Sequence, residues 1–181
     1  ALFCTIIFIV PAAVIALCVA LSSKGPVIYS QKRLGKNGKE FDIYKFRTMI
    51  TDAEKDGAVW AKKDDDRVTK IGALLRKTHL DEIPQFWNIL KGDMSFVGYR
   101  PERQYFIDKI VKENPDYVKL YAMRPGVFSN ATLYNGYTDT MEKMLERLSM
   151  DLHYLRTASF LGDIIIILKT LGVVTKGDNR N

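Results

Sequence analysis

Residues 1–21 carry no charge, and only Thr5 and Pro11 interrupt their apolar run; the first charged side chain is Lys24. At about 1.5 Å of rise per residue, a helix of that length just reaches across a hydrocarbon layer of roughly 30 Å, so the run reads as a membrane segment. Pro11 lies in its middle, where it deletes a backbone donor and clashes with the preceding turn. A straight span therefore competes with a kinked hairpin that enters and leaves by one face. Lys24, Lys32 and Arg33 follow the segment and favour cytoplasmic placement of the rest. A cleaved signal peptide would need a basic region ahead of the apolar run, and none is present here. The chain also begins without Met, so a catalytic fragment of a larger protein with further spans upstream is a separate reading.

With 181 residues and 47% apolar composition, the chain is long enough for one globular domain with a real core, which argues against disorder and against a disulfide-stapled miniature. Its 27 Lys and Arg against 21 Asp and Glu leave a net charge of +6, suited to an anionic partner such as phosphate, nucleic acid or a lipid surface. Cys4 and Cys18 both fall in the apolar run and read as buried fillers. His79 and His153 are too far apart to suggest a zinc site or a His-centred triad.

Beyond the apolar run, residues 27–33 and 41–46 are strand-like and flank Gly35-Lys36-Asn37-Gly38, a hairpin turn signal. Residues 51–66 form a polar loop, whose Asp64-Asp65-Asp66 reads as solvated sooner than as a cation site. Val68, Ile71, Leu74 and Leu75 recur at helical spacing as far as Thr78. A second helix opens at Asp81 as its N-cap, with Pro84 tolerated in the first turn, a stripe of Ile83, Phe86, Trp87 and Leu90, and Gly92 as its stop. Residues 105–111 read as a helix, and Arg124-Pro125-Gly126 opens a loop running to Asn135-Gly136. Met141, Met144, Leu145, Leu148, Leu152 and Leu155 give an amphipathic helix, and residues 160–174 a second apolar stretch, interrupted by Asp163 and Lys169 and so interfacial or packed. The sum is an α+β chain, mostly helical, with a small β-hairpin.

The chemistry lies in the middle. Between Lys24 and His79 there are 14 Lys and Arg and 8 Asp and Glu, an excess of +6 that equals the whole chain's charge. Lys45, Arg47, Arg76, Arg100, Arg103 and Arg124 supply cations near a helix N-terminus, which is what a pyrophosphate needs. Asp81 and Glu82 are adjacent, so on a helix their side chains diverge by roughly 100° and can do different jobs. One carboxylate could attack phosphorus while the other holds a hard cation such as Mg²⁺, although most such pairs only cap helices.

The run Arg76-Lys77-Thr78-His79-Leu80-Asp81-Glu82-Ile83-Pro84-Gln85, then Trp87-Asn88-Ile89-Leu90-Lys91-Gly92-Asp93-Met94-Ser95, then Val97-Gly98-Tyr99-Arg100-Pro101, resembles the bacterial sugar transferase family. These are monotopic phosphoglycosyl transferases that prime glycan assembly on polyprenyl phosphate. Tyr44-Lys45-Phe46-Arg47-Thr48-Met49, Asp66-Arg67, Arg124-Pro125-Gly126 and the Pro-broken N-terminal segment match in the same order, so the resemblance covers nearly the whole chain. It implies a re-entrant membrane helix-hairpin over residues 1–23, hinged near Pro11. Residues 24–181 would form the catalytic domain, facing the cytoplasm at the bacterial inner membrane, with interfacial amphipathic helices.

The resemblance also implies a ping-pong reaction. The Asp matching Asp81 attacks the β-phosphate of a nucleoside diphosphate sugar, usually UDP-linked, and polyprenyl (undecaprenyl) phosphate takes the phosphosugar from the resulting covalent intermediate. Carried over residue by residue, Asp81 is the nucleophile, Glu82 assists, Asp81 and Glu82 hold Mg²⁺, and Lys45, Arg76, Arg100 and Arg124 bind phosphates. The expected partners are the nucleotide sugar, the polyprenyl phosphate and inner-leaflet lipid, with no nucleic acid; a homodimer stays open. Two stretches depart from the family's pattern. Tyr99 stands where Pro is usual, and residues 127–136 differ from the commoner Ile-Thr-Gly-Leu-Ala-Gln-Val, so no sugar is copied from a relative. The rival from another class is a non-catalytic, membrane-tethered basic module for nucleic acid or anionic lipid, resting on the charge and on Tyr29, Tyr44 and Phe46; no nucleic-acid-binding motif supports it.

Overall fold

A computed structural model describes the backbone of residues 2–53, 55, 57, 65–134, 138 and 140–176, and within these the side chains from Ile9 to Gly172. Asp64, the Asn135-Gly136 pair, and the side chains of Cys4, Val173 and Val174 lie outside the described residues. The architecture is α+β and mostly helical, as the sequence patterns predict.

The apolar run forms one helix, α1 (Leu2–Ser22), with Pro11 inside it. Among the described residues no helix is long and apolar enough to cross a membrane. Strands β1 (Ile28–Leu34) and β2 (Glu40–Phe46) pair antiparallel from Ile28 opposite Phe46 to Leu34 opposite Glu40. The turn between them takes positive φ at Asn37 (59°) and Gly38 (68°), the two residue types that enter that region most readily. The sequence-predicted hairpin is therefore present, and its turn residues are the reason.

Helix α2 (Lys70–Thr78) starts where Thr69 accepts a hydrogen bond from the Gly72 amide at 2.9 Å. It lies so close to β2's end that a Cβ on Gly72 would sit 2.0 Å from the Thr48 carbonyl oxygen. Helix α3 (Gln85–Lys91) ends at Gly92 with φ of 83°, as the glycine predicts. Its buried face is not the expected stripe. Trp87 and Leu90 face outward, whereas Gln85 and Asn88 are buried. The cause is the free edge of β2: the Asn88 carboxamide accepts from the Tyr44 amide (3.1 Å) and donates to the Asp42 carbonyl (2.7 Å), satisfying two edge groups that an apolar side chain would leave unpaired. Leu74 of α2 is likewise exposed, while Leu75 is buried.

The stretch after Arg124 is more ordered than a loop. Strand β3 (Ser95–Val97) pairs in parallel with β4 (Gly126–Phe128), and α5 (Asn130–Tyr134) follows. Between them run α4 (Gln104–Glu113) and a 3-10 helix (Pro115–Ala122). The main core gathers Leu34, Tyr99, Ile107, Ile110, Leu120, Met144, Leu148 and Leu152. Each fully buried aliphatic there contributes about 1.5–3 kcal/mol. Helix α6 (Met141–Thr157) supplies the last three of these residues. Its stripe is thus buried in the core instead of lying at an interface, because α4 and the 3-10 helix cover it.

Helix α7 (Phe160–Lys176) buries Ile166 against Val97, Leu133 and Tyr154, and exposes Phe160, Leu161, Ile165, Leu168 and Leu171. α1 packs Ile15 and Val19 on Phe46 and Leu75 and leaves Val10, Val14, Leu17 and Leu21 outward. Cys18 is on that outward face, a correction to its reading as buried filler.

Candidate active site

Chain reversal between α2 and α3 creates the site. His79 takes a left-handed conformation (φ 54°), which ends α2 by returning its amide to the Leu75 and Arg76 carbonyls. A 3-10 turn (Leu80–Glu82) follows and places Asp81 and Glu82 in the interior, each 7% exposed. Asp81 is therefore not the N-cap of a long helix, as its sequence position suggests. The turn tightens there because His79 has already reversed the chain, and Pro84 takes the cap position of α3.

Glu82 is held by two cations from distant segments. Lys45 Nζ of β2 donates to Glu82 Oε1 at 2.6 Å, and an Arg100 terminal guanidinium nitrogen donates to the same oxygen at 2.9 Å. Burial alone would push the Glu82 carboxyl up, but Arg100 and Lys45 together outweigh it and hold it well below the usual carboxylate range. Arg100 is in turn held above its ordinary value, chiefly by Glu82. Asp81 goes the other way. Burial is the largest influence and raises its carboxyl above the ordinary 3.8; Lys45 opposes this and the negative charge of Glu82 adds to it. Among the described residues the Asp81 carboxylate has no hydrogen-bond or ion-pair partner. Two adjacent carboxylates thus sit in environments that push their proton affinities apart.

The other predicted cations divide. Arg76 hands its Nε–H to Thr48 Oγ1 at 2.9 Å and is oriented by β2's end, not by the carboxylates. Arg124 is exposed and makes no side-chain contact to the pair among the described residues. Its backbone nevertheless passes beside the Arg100 segment: a Cβ on Gly98 would meet the Arg124 carbonyl oxygen at 2.5 Å, and the Gly126 amide donates to the Tyr99 carbonyl at 2.9 Å. Arg103 stacks over Phe106, 6.0 Å from the ring centre. Arg47 is no phosphate ligand. It is buried and donates to the carbonyls of Ser23 (2.6 Å), Pro26 (2.6 Å) and Val19 (3.3 Å), satisfying the C-terminal end of α1. Tyr99, the departure next to Arg100, is fully buried, with its hydroxyl on the Leu34 carbonyl at 3.4 Å.

Sequence reasoning missed Thr48 and Asn88, which orient Arg76 and dock α3. A polar residue inside an apolar periodicity, as at Asn88, was the available signal. Asp65 pairs with Arg67 at 2.6 Å, consistent with the loop reading of the acidic triplet. Among the described residues no group of three or more His, Cys, Asp or Glu is arranged to hold a metal ion.

A buried carboxylate beside a carboxylate held by Lys45 and Arg100 is an arrangement for charge-neutralised phosphoryl chemistry. The sequence places the chain in a class of such proteins: the model of the Bacterial sugar transferase family matches residues 1–177, and the chain belongs to that family. Over 162 residues it is 39% identical to the UDP-N-acetylgalactosamine-undecaprenyl-phosphate N-acetylgalactosaminephosphotransferase of Aeromonas hydrophila, covering 90% of this chain and 38% of that protein. It is also 42% identical to the UDP-glucose:undecaprenyl-phosphate glucose-1-phosphate transferases of Klebsiella pneumoniae (87% of this chain, 34% of that one) and Escherichia coli (90% and 36%). The chain spans little more than a third of the length of these relatives.

Proposed function

We propose that this chain carries the catalytic machinery of a transferase that moves a phosphosugar from a UDP-sugar to undecaprenyl phosphate. The products are the polyprenyl diphosphate sugar and a nucleoside monophosphate, in the first step of capsule, exopolysaccharide, O-antigen or glycoprotein glycan assembly. The observation that carries this reading is the unlike pair: Glu82 is committed to Lys45 and Arg100, while Asp81 keeps an unpartnered carboxylate. Asp81 attacks the β-phosphorus, the bond from that phosphorus to the bridging oxygen breaks, and the nucleoside monophosphate leaves with the electron pair. An oxygen of the lipid phosphate then attacks the same phosphorus and releases the Asp81 carboxylate. Lys45, Arg76, Arg100 and Arg124 neutralise the phosphates.

Mg²⁺ fits the donor set. Asp81 and one free oxygen of Glu82 offer hard carboxylate ligands, and Mg²⁺ is commonly bound by one or two carboxylates, with phosphates and waters completing its shell. When bound it would neutralise charge on the diphosphate.

The acceptor's phosphate lies at headgroup depth while the donor is water-soluble, so the site belongs at an interface. Residues 1–23 are the anchor in this reading, re-entering by one face, with the catalytic residues 24–181 on the cytoplasmic side of the inner membrane. The outward apolar side chains of α1 and α7, Phe160 and Leu21 among the most exposed, support lipid contact. The test is nucleoside monophosphate release by purified protein given undecaprenyl phosphate, Mg²⁺ and a panel of UDP-sugars. Release that depends on one sugar and on the lipid is the expected result; silence across the panel from folded protein overturns the reading.

A further inference from the structure

Four buried side-chain polar atoms have no hydrogen-bond partner among the described residues: Arg33 Nε, Arg47 Nε, Gln85 Nε2 and the Tyr117 hydroxyl. Such orphans are rare, because a buried donor that has given up water and gained nothing in return destabilises the fold. Arg33 and Arg47 are nonetheless anchored through their terminal nitrogens, and Tyr117 stands in the main apolar core. Gln85 is different. It is 2% exposed, and it opens α3 directly after the segment that carries the carboxylate pair.

The backbone fixes where Gln85 lies. Ile83 (φ −50°, ψ −41°) and Pro84 (φ −60°, ψ −17°) join the Leu80–Glu82 turn to α3 without leaving right-handed helical conformation. Gln85 is therefore three residues beyond Glu82 and four beyond Asp81 on one continuous helical path, the spacing that puts side chains on the same face. Asn88, three residues further on, shares that face, and the edge of β2 takes up its carboxamide at Tyr44 and Asp42. All four side chains are buried. Glu82 is held by Lys45 and Arg100 and Asn88 by the strand, which leaves the Asp81 carboxylate and the Gln85 amide one turn apart with nothing bound to either among the described residues.

A phosphoryl group attacked by Asp81 has to enter this interior position, and its non-bridging oxygens need donors there. Lys45 and Arg100 already serve Glu82, and Arg76 gives its Nε–H to Thr48. The Gln85 amide is the buried donor that no other contact engages.

We propose that Gln85 is a substrate-contact residue whose side-chain N–H donates to a non-bridging oxygen of the phosphoryl group that Asp81 attacks. It gives a hydrogen bond and transfers no proton. Fixed in place before substrate arrives and screened from water, such a donor acts most strongly as charge develops on the phosphoryl oxygens. The inference rests on the transferase reading and adds a neutral ligand to its phosphate site.

Gln85→Met, of similar length and without a donor, is the test, read by thermal unfolding of the free protein and by nucleoside monophosphate release from the UDP-sugar that wild type accepts. The expected result is a melting temperature at or above that of wild type, because an unsatisfied buried group has been removed, together with a kcat about 100-fold lower. A kcat within about twofold of wild type, a loss confined to KM, or a variant that melts well below wild type overturns the proposal and leaves the transferase reading intact. The last of these would show that the carboxamide is already satisfied inside the fold. Should Gln85→Met fail to fold, Gln85→Leu enters the same two measurements with the same outcomes, and failure of both to fold also overturns the proposal. A folded wild type that releases no nucleoside monophosphate from any UDP-sugar overturns both readings.

Discussion

Replacing Asp81 by Asn is expected to abolish turnover and, at neutral pH, to raise the melting temperature. The carboxyl is 7% exposed and burial raises its proton affinity above the ordinary 3.8. For an acid whose folded value is raised, the folded state is favoured while the group is protonated in both states, below 3.8, and that advantage is lost as the pH rises through the folded value. At neutral pH the buried Asp81 carboxyl is therefore a load on the fold. Each unit by which the folded value exceeds the unfolded one removes about 1.36 kcal/mol, or roughly 3–5 °C of melting temperature in a domain this size. Asn has the same shape and no charge, so it escapes that penalty. Turnover should fall by at least about 1,000-fold, the scale seen when a nucleophile is removed.

The assay is thermal unfolding of wild type and Asp81→Asn in EDTA, from below pH 3.8 to neutrality, alongside nucleoside monophosphate release. The two melting curves should coincide at the acid end, separate as the pH rises, and run parallel once Asp81 is ionised in both states. A variant that melts lower than wild type at neutral pH, or a gap that ignores pH, would refute the argument that burial of an unpartnered carboxylate dominates this position.

Lys45→Met removes the nearer cation from Glu82 and should destabilise the fold by about 1–3 kcal/mol in urea titrations, since Arg100 still satisfies part of the buried charge. Glu82's depressed carboxyl contributes stability above the unfolded value of 4.5 that is lost as the pH falls through the folded one, so the variant's acid unfolding should begin at a higher pH than wild type's. Gly126→Ala would place a Cβ 2.1 Å from the Gly98 amide nitrogen and should cost about 3 kcal/mol or more together with turnover, because backbone on both sides cannot yield. Gly92→Ala is the matched control: nothing lies within 4 Å, only its φ of 83° opposes a side chain, and about 1 kcal/mol is expected.

Local chemistry was legible in the sequence wherever one residue type decides the backbone. Asn37-Gly38 placed the hairpin turn and Gly92 the end of α3, because few residues take positive φ cheaply. Features set by distant segments were not legible. Periodicity predicted that Trp87 and Leu90 would be buried, but the edge of β2 demanded hydrogen bonds and drew Asn88 inward. An Asp before a Pro-containing first turn predicts a cap, but the left-handed His79, a rare state for a non-glycine residue, turns Asp81 inside. The short parallel pairing of β3 and β4 joins segments 31 residues apart with three residues each, too brief for any pattern to announce.

Net charge was the least specific guide, and the structure explains why. Arg33 and Arg147 clamp Glu102, and Arg47 closes the end of α1, so these three cations are structural. Lys45 and Arg47 are two apart on β2 and its continuation, and alternation along a strand puts such residues on one face. One reaches Glu82 and the other reaches the last carbonyls of α1. The same short backbone thus ties the end of the apolar helix to the carboxylate pair, which fixes the depth of the site relative to whatever α1 rests in. In the proposed transfer between a soluble donor and a lipid-borne phosphate, that depth decides whether the two phosphates can meet at Asp81, and a basic surface with free cations could not set it.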